Sequence, residues 1–429
     1  MNIAPAVAPD RLRVALVHAS DLGGGAERSV VGLHRGLREL GHESTLFVGE
    51  QRTDEAGVEA IPYVRGVPGT RRIARMLENG FGWQDIYNPS FRALSRRLQA
   101  DFDIVHFNSL WGSSGYADIA ALPLLTKKMP GLVTLRDNWL LTGHCACFHD
   151  CRRWTSGCGE CPDLGLAPAI PRDGTRFNWE RKRKALRDAR VEVCVISEAL
   201  GRDAAVSPII AGKRIHRIYN GIDLKTFSPV SKCVRDEYRR DFGFAPDDVV
   251  VLIAGQTVEG IREGIATQHA VAALNRLSGV PGVRAMAVGH SAERVAKLLD
   301  LPTSVLPFMA EPARMARCFQ ASDLCLVTSE VETFGRIAAE SQACGTPVVA
   351  FGVGGIPEVV LDGVGGSIVA ARDIDGLVDA LSKLATDGAA RARAASAGRA
   401  HVAANFDQGL VSAQYAELYR DVVRRAMAQ

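Results

Sequence analysis

Short apolar runs recur along the chain, and most are followed by a stretch whose apolar residues return every three or four positions. The first run, residues 14–18, leads into the glycine turn Gly23, Gly24, Gly25 and then a stripe of Val30, Leu33, Leu37 and Leu40 that Gly41 closes. Runs at 104–107, 132–135 and 191–196 continue the series. A turn signal at Tyr219, Asn220, Gly221, Ile222 and Asp223 follows, and a second series runs through 249–254, 283–288, 324–327 and 347–351. Strands alternating with crossover helices make parallel sheets. The pattern predicts an α/β chain of two doubly wound, Rossmann-like domains, residues 1–208 and 209–406, facing across a cleft where the carboxyl ends of both sheets meet. Leu410, Leu418, Val422 and Val423 predict a closing helix in 407–429.

Composition narrows the class. The 429 residues are 47% hydrophobic and 23% charged, as in a globular protein, and a net charge of +3 is small for a broad nucleic-acid footprint. No apolar run reaches the roughly 18 residues that span a bilayer, and residues 1–10 lack the basic start of a signal peptide. A cytoplasmic location is expected. The ten cysteines are then reduced thiols or metal ligands.

Five of those ten fall in HCACFHDCRRWTSGCGECP, residues 144–162, an insertion in the first domain. Cys145, Cys151, Cys158 and Cys161 are separated by five, six and two residues. A Cys-x2-Cys turn with Gly159 inside presents two thiolates to one metal, and four thiolates make a closed tetrahedron, so the set suits a structural zinc. Cys147, His144 and His149 are spare ligands; free thiols in a loop are the alternative. Cys194, Cys318, Cys325 and Cys344 lie in strand or helix patterns and read as small core residues.

Two carboxylates, Glu332 and Glu340, stand eight positions apart in ETFGRIAAES. That spacing puts Glu332 just before a helix and Glu340 two turns inside it, within reach of one ligand. A solvated helix face is the alternative. Helix N-termini after Gly24 and Gly25, and after the Phe334-Gly335 step beside Arg336, favour anions and together suit a diphosphate.

The segment SEVETFGRIAAESQACGTPVVAFGVGGIPEVV, residues 329–360, resembles the Glu-x7-Glu signature of the retaining, nucleotide-sugar-dependent glycosyltransferases of family 4, which have the two-domain GT-B fold. GGGAER at Gly23 and YNGIDLKTF at Tyr219 extend the resemblance over nearly the whole chain, and the cysteine pattern is similar to a branch found among polysaccharide-building enzymes. The resemblance implies that Glu332 touches hydroxyls of the transferred sugar and Glu340 the ribose, while Phe334, Gly335, Arg336 and Ile337 receive the diphosphate. An ionised carboxylate accepts from two neighbouring hydroxyls at once, which suits both diols.

Three positions depart from that family. Arg136 stands where a His is common, Gln256 where an Arg is, and Glu263 where a Lys precedes a glycine. The missing Arg and Lys neutralise the leaving diphosphate in the family, so Arg262 and Arg336 are the candidate replacements, with Arg136 a third. A salt bridge to Asp137 is the alternative for Arg136. Residues 70–83 mix Arg71, Arg72 and Arg75 with Ile73, Met76, Leu77, Phe81 and Trp83, as an interfacial amphipathic segment does, and imply peripheral contact with the inner membrane face or an ordinary solvated helix.

The expected activity is transfer of a hexose from a nucleoside diphosphate sugar to a hydroxyl of a lipid-linked or secondary-metabolite sugar, with no catalytic metal and no nucleic-acid partner. The donor belongs to the second domain and the acceptor to the first. A catalytically silent relative that binds nucleotide or a protein partner stays open. A sugar-nucleotide epimerase or phosphorylase is a third reading, and the intact Glu-x7-Glu signature counts against the epimerase.

Overall fold

The structure is a computed structural model describing residues 10–61, 70–112, 115–254 and 263–428, with backbone alone at 70, 71 and 263–265. It divides into two compact units, Met1–Gly221 with Gly409–Gln429, and Ile222–Gln408.

The first unit is built on strands β1 (Arg13–Ser20), β2 (Glu43–Glu50), β3 (Val58–Ala60), β4 (Ile104–Phe107), β5 (Gly131–Leu135), β6 (Val191–Val195) and β7 (Ile215–Arg217), in the order β3-β2-β1-β4-β5-β6-β7. Every pairing is parallel. The order reverses between β1 and β4, so a crevice opens outside their carboxyl ends. Val14 and Leu16 of β1 pack with Val30, Leu33 and Leu37 of helix Gly25–Glu39 in one core. Leu40 falls past the end of that helix and is 47% exposed, because Gly41 takes a left-handed turn.

The same core includes Val411, Tyr415, Leu418, Tyr419, Val422 and Val423 of helix Gln408–Met427. Buried His106 on β4 ties it down, with Nδ1 2.6 Å from the Tyr419 hydroxyl and Nε2 2.7 Å from Thr134. Leu410 faces outward, leaving Val411 and the two tyrosines to form the buried stripe.

The second unit carries β8 (Val249–Ala254), β9 (Val283–Val288), β10 (Thr303–Leu306), β11 (Leu324–Val327), β12 (Val348–Phe351) and β13 (Gly366–Val369), in the order β10-β9-β8-β11-β12-β13. All pairings are parallel again, and the reversal lies between β8 and β11. The expected boundary near residue 209 moves to Gly221 and Ile222. The physical cause is β7, which adds to β6 and carries residues 210–221 into the first unit.

Candidate active site

The loop after β11 lies at the reversal point of the second sheet, and close backbone packing dictates its shape. Gly335, with φ of +101°, caps helix Arg336–Ala343, and a Cβ there would come 2.7 Å from Ile356 Cδ1. Gly335 N–H donates to Glu332 Oε1 at 3.1 Å, and Gly355 N–H donates to the Glu332 carbonyl at 2.9 Å. Gly354, at φ +52°, packs so tightly that an added Cβ would lie 1.7 Å from that carbonyl. Phe334 is buried edge-to-face on Phe406, with centroids 5.4 Å apart. Burial pushes the Glu332 carboxyl above its ordinary range, and the Gly335 and Phe334 amides partly offset it.

Glu340 stands one turn into the helix, not two, because the left-handed Gly335 delays the helix start to Arg336. It is fully buried, and Arg336 Nε donates to its Oε1 at 2.7 Å. The guanidinium expected at the diphosphate is thus also the hydrogen-bond partner of a buried carboxyl. Ala339 N–H makes an early helical bond to Gly335 O, so the amides of Arg336, Ile337 and Ala338 form the leading edge that favours an anion. Gln256 and Arg262 lie outside the described residues, as does the Glu263 side chain.

In the first unit, Gly24 caps helix Gly25–Glu39 and Gly25 opens it. Its leading edge already faces an anion, the carboxylate of Glu27, which lies close over Gly23. Burial pushes the Glu27 carboxyl up, while the amides of Glu27 and Gly24 pull it down. His18 Nε2 is 3.6 Å from Glu27, too far for a hydrogen bond, and burial lowers its pKa. The Glu27 carboxylate thus lies beside the Gly24 and Gly25 turn where a donor contact is expected.

Arg136 follows β5 and is 8% exposed. Its Nε donates to Asn108 at 3.0 Å and a terminal nitrogen to Asn220 at 2.6 Å. The Asp137 carboxylate accepts instead from the Trp111 indole and the Trp139 amide, each at 2.8 Å.

Cys145, Cys151, Cys158 and Cys161 line one cavity of about 20 Å³ together with His144. Gly143 N–H donates to Cys158 Sγ at 3.2 Å, His144 Nε2 lies 3.4 Å from Cys161 Sγ, and all four thiols are unoxidised. Among the described residues, however, no three His, Cys, Asp or Glu side chains converge tightly enough to hold a metal ion. Burial pushes the Cys145 thiol up to about 11 and that of Cys158 to about 12. Cys194, Cys318, Cys325 and Cys344 are buried, as their patterns predict.

The sequence gives no warning of the buried amine beneath this cap. Lys182 is 2% exposed, and donates to the carbonyls of Trp139 at 2.6 Å and Thr142 at 3.1 Å. It also sits 3.4 Å from the Trp139 ring centre. Burial lowers it to about 7, while Asp85 pulls the other way.

Two family models match the chain. The model described as Glycosyltransferase Family 4 matches residues 23–226, and the one described as Glycosyl transferases group 1 matches residues 234–401. A D-inositol 3-phosphate glycosyltransferase of Xylanimonas cellulosilytica is 34% identical over 229 residues, 50% of this chain and 53% of the relative. One from Mycobacterium marinum is 35% identical over 199 residues, 43% of this chain and 41% of the relative. The chain thus spans about half the length of the curated relatives it matches. Among solved structures, sucrose-phosphate synthase from Thermosynechococcus elongatus superposes with a TM-score of 0.68 at 20% identity, covering 96% of this chain and 99% of that one. Anabaena HepE in complex with UDP-glucose gives 0.67 at 18% identity, covering 95% and 99%. One model falls on the amino-terminal sheet and the other on the carboxy-terminal sheet with its Glu332 loop, so residues 23–226 match the family 4 glycosyltransferases, residues 234–401 match the group 1 glycosyl transferases, and the fold is GT-B.

Proposed function

We propose that the chain is a retaining glycosyltransferase that moves a hexose from a nucleoside diphosphate sugar to a hydroxyl of a lipid-linked or secondary-metabolite sugar. The observation that carries this reading is the pair Glu332 and Glu340, one on a loop shaped by Gly335, Gly354 and Gly355 and the other buried against Arg336. Glu340 takes the ribose hydroxyls, and its hydrogen bond from Arg336 fixes the direction of the carboxylate. Glu332 takes hydroxyls of the transferred sugar. The amides of Arg336 and Ile337 receive the diphosphate, with Phe334 as the buried anchor that holds them in place. In the transfer the bond from the anomeric carbon to the diphosphate oxygen breaks, and a bond to the acceptor oxygen forms on the same face. The acceptor proton leaves on the departing phosphate.

Arg262 is the cation assigned to the leaving group, since the Arg336 side chain is committed to Glu340. Arg136, held by two asparagine amides, is assigned to anionic groups at the carboxyl ends of the first sheet. Nucleotide release from a panel of nucleotide sugars, with and without sugar acceptors, tests the reading; the panel includes inositol 3-phosphate, which the relatives' names carry. Acceptor-dependent release with retained anomeric configuration is expected. Nucleotide binding with no release from any donor would establish instead the silent relative, which the commitment of Arg336 favours.

Two further assignments belong to the same reading. The four thiols are assigned to a structural zinc, because they line one cavity with His144 and four thiolates make a closed tetrahedral set. Helix Thr70–Phe81 makes peripheral membrane contact, because exposed Ile73, Met76 and Phe81 lie beside exposed Arg72 and Arg75. Among the described residues no helix is long and apolar enough to cross a membrane.

A further inference from the structure

A cavity of about 230 Å³ in the first unit is lined by Arg75, Glu78, Trp83, Gln84, Asp85 and Trp111. It is smaller than the roughly 300–1,000 Å³ of drug-sized ligand sites, so it has room for one sugar ring and not for a nucleotide sugar. Its walls are rigid. Trp83 stacks with Phe81 at 4.8 Å and with Phe177 at 4.3 Å between centroids, and Trp111 is fixed by its bond to Asp137.

The acceptor groups are held in place as firmly. Asp85 has φ of +49°, a conformation that costs a non-glycine residue about 1 kcal/mol or more. It persists because Arg181 donates to the carbonyls of Gln84 at 2.7 Å and Asp85 at 2.9 Å, while Asn178 accepts from the Gln84 amide at 3.1 Å. Helix Thr175–Asp188 therefore clamps the segment that aims Asp85. Among the described residues, neither the Asp85 nor the Glu78 carboxylate receives a hydrogen bond, although burial raises the pKa of both. Two half-buried acceptors that receive no hydrogen bond from the described residues, against aromatic walls, match a ring that offers adjacent hydroxyls on its edge and C–H groups on its faces.

We infer that this cavity is the subsite for the acceptor sugar, and that it selects a neutral hexopyranose whose hydroxyls bind Glu78 and Asp85. The inference rests on the transferase reading for its word "acceptor" and on the cavity alone for its ligand class. A phosphorylated ring is disfavoured here, since two carboxylates outnumber the one cation, Arg75, among the lining residues.

Saturation-transfer NMR and calorimetry on the full chain test the subsite with methyl glycosides of glucose, galactose and mannose, with glucose 6-phosphate, and with UDP as an independent donor-side probe. At least one methyl glycoside should bind. Asp85→Asn keeps the shape and tolerates the left-handed backbone, yet should weaken that binding by at least about tenfold, with UDP affinity unchanged. Glu78→Gln should act in the same direction, and glucose 6-phosphate should bind more weakly than the methyl glucoside. Unchanged glycoside affinity in both variants overturns the inference, as does a folded protein that binds UDP and none of the glycosides. Glycoside binding that depends on Asp85, in a protein that binds and hydrolyses no nucleotide sugar, keeps the subsite and removes the transferase reading.

Discussion

The Glu332 loop and the amino-terminal cavity are both built around carboxylates, yet they are built by opposite means. In the loop, backbone lies against backbone: Gly354 and Gly355 press on residues 332–334, and one short stretch of chain supplies nearly every part. In the cavity, side chains converge from Arg75, Glu78, Asp85 and Trp111, held by Arg181 and Asn178 about a hundred positions further on. A site made of backbone tolerates few residue types and leaves a contiguous signature. A site made of distant side chains can change its ligand without moving the fold.

The largest effect that would sharpen this contrast concerns the cysteine cap, which belongs to the amino-terminal side alone. Purified protein is expected to carry about one zinc per chain by elemental analysis, and Cys158→Ser should lose it and destabilise the first unit by several kcal/mol. Unfolding followed by probes in each unit should show the second unit unaffected; metal-free protein of full stability would end the zinc assignment. Next comes Gly354→Ala. The added methyl meets the Glu332 carbonyl, so a stability loss of roughly 2–4 kcal/mol is expected, together with loss of turnover. A variant with wild-type Tm and rate would show that the loop is not held by backbone contact.

Smaller changes probe the two carboxylates of the loop separately. Glu332→Gln should slow transfer by about a hundredfold while leaving the affinity for bare nucleotide intact. Glu340→Gln should lower nucleotide affinity by about tenfold, since it replaces one of the two acceptor oxygens by a donor NH2 and removes the charge that faces Arg336 and the ribose hydroxyls. Equal nucleotide binding in wild type and Glu340→Gln would refute its role. The smallest expected effect lies at the surface: Met76→Ser should reduce binding to anionic vesicles about threefold without altering turnover on a soluble acceptor. Unchanged vesicle binding would leave helix Thr70–Phe81 as an ordinary solvated helix.

The sequence revealed the interior of each sheet and little of its margins. The runs at 104–107, 249–254, 283–288 and 324–327 are the strands β4, β8, β9 and β11, because strands buried on both faces must be apolar throughout. The strands that escaped notice carry polar or charged residues or are short edges: β2 reads ESTLFVGE, β3 is only Val-Glu-Ala, β7 is only Ile-His-Arg, and β10 and β13 lie at sheet edges. Missing β7 is what displaced the domain boundary. Within the site, Glu332 and Glu340 were legible as a spacing, whereas the pairing of Arg336 with Glu340 depends on where the helix starts, and a left-handed glycine decides that. Glu27 was overlooked because a carboxylate in a first helical turn is commonplace. Asp85 and Lys182 had no pattern to betray them, since their meaning comes from burial alone.

Helix Gln408–Met427 completes the core of the first unit, so that unit is interrupted in sequence by the whole of the second. During synthesis, β4 emerges early but its His106 must wait for Tyr415 and Tyr419, which follow only after the ribosome has made the entire intervening unit. The carboxy-terminal unit is contiguous and can close first, contrary to the usual amino-to-carboxyl order of domain folding. A nascent chain stalled near residue 408 would hold a finished second unit and an amino-terminal sheet whose His106 and Thr134 still lack their partners Tyr419 and Tyr415, a target for chaperones.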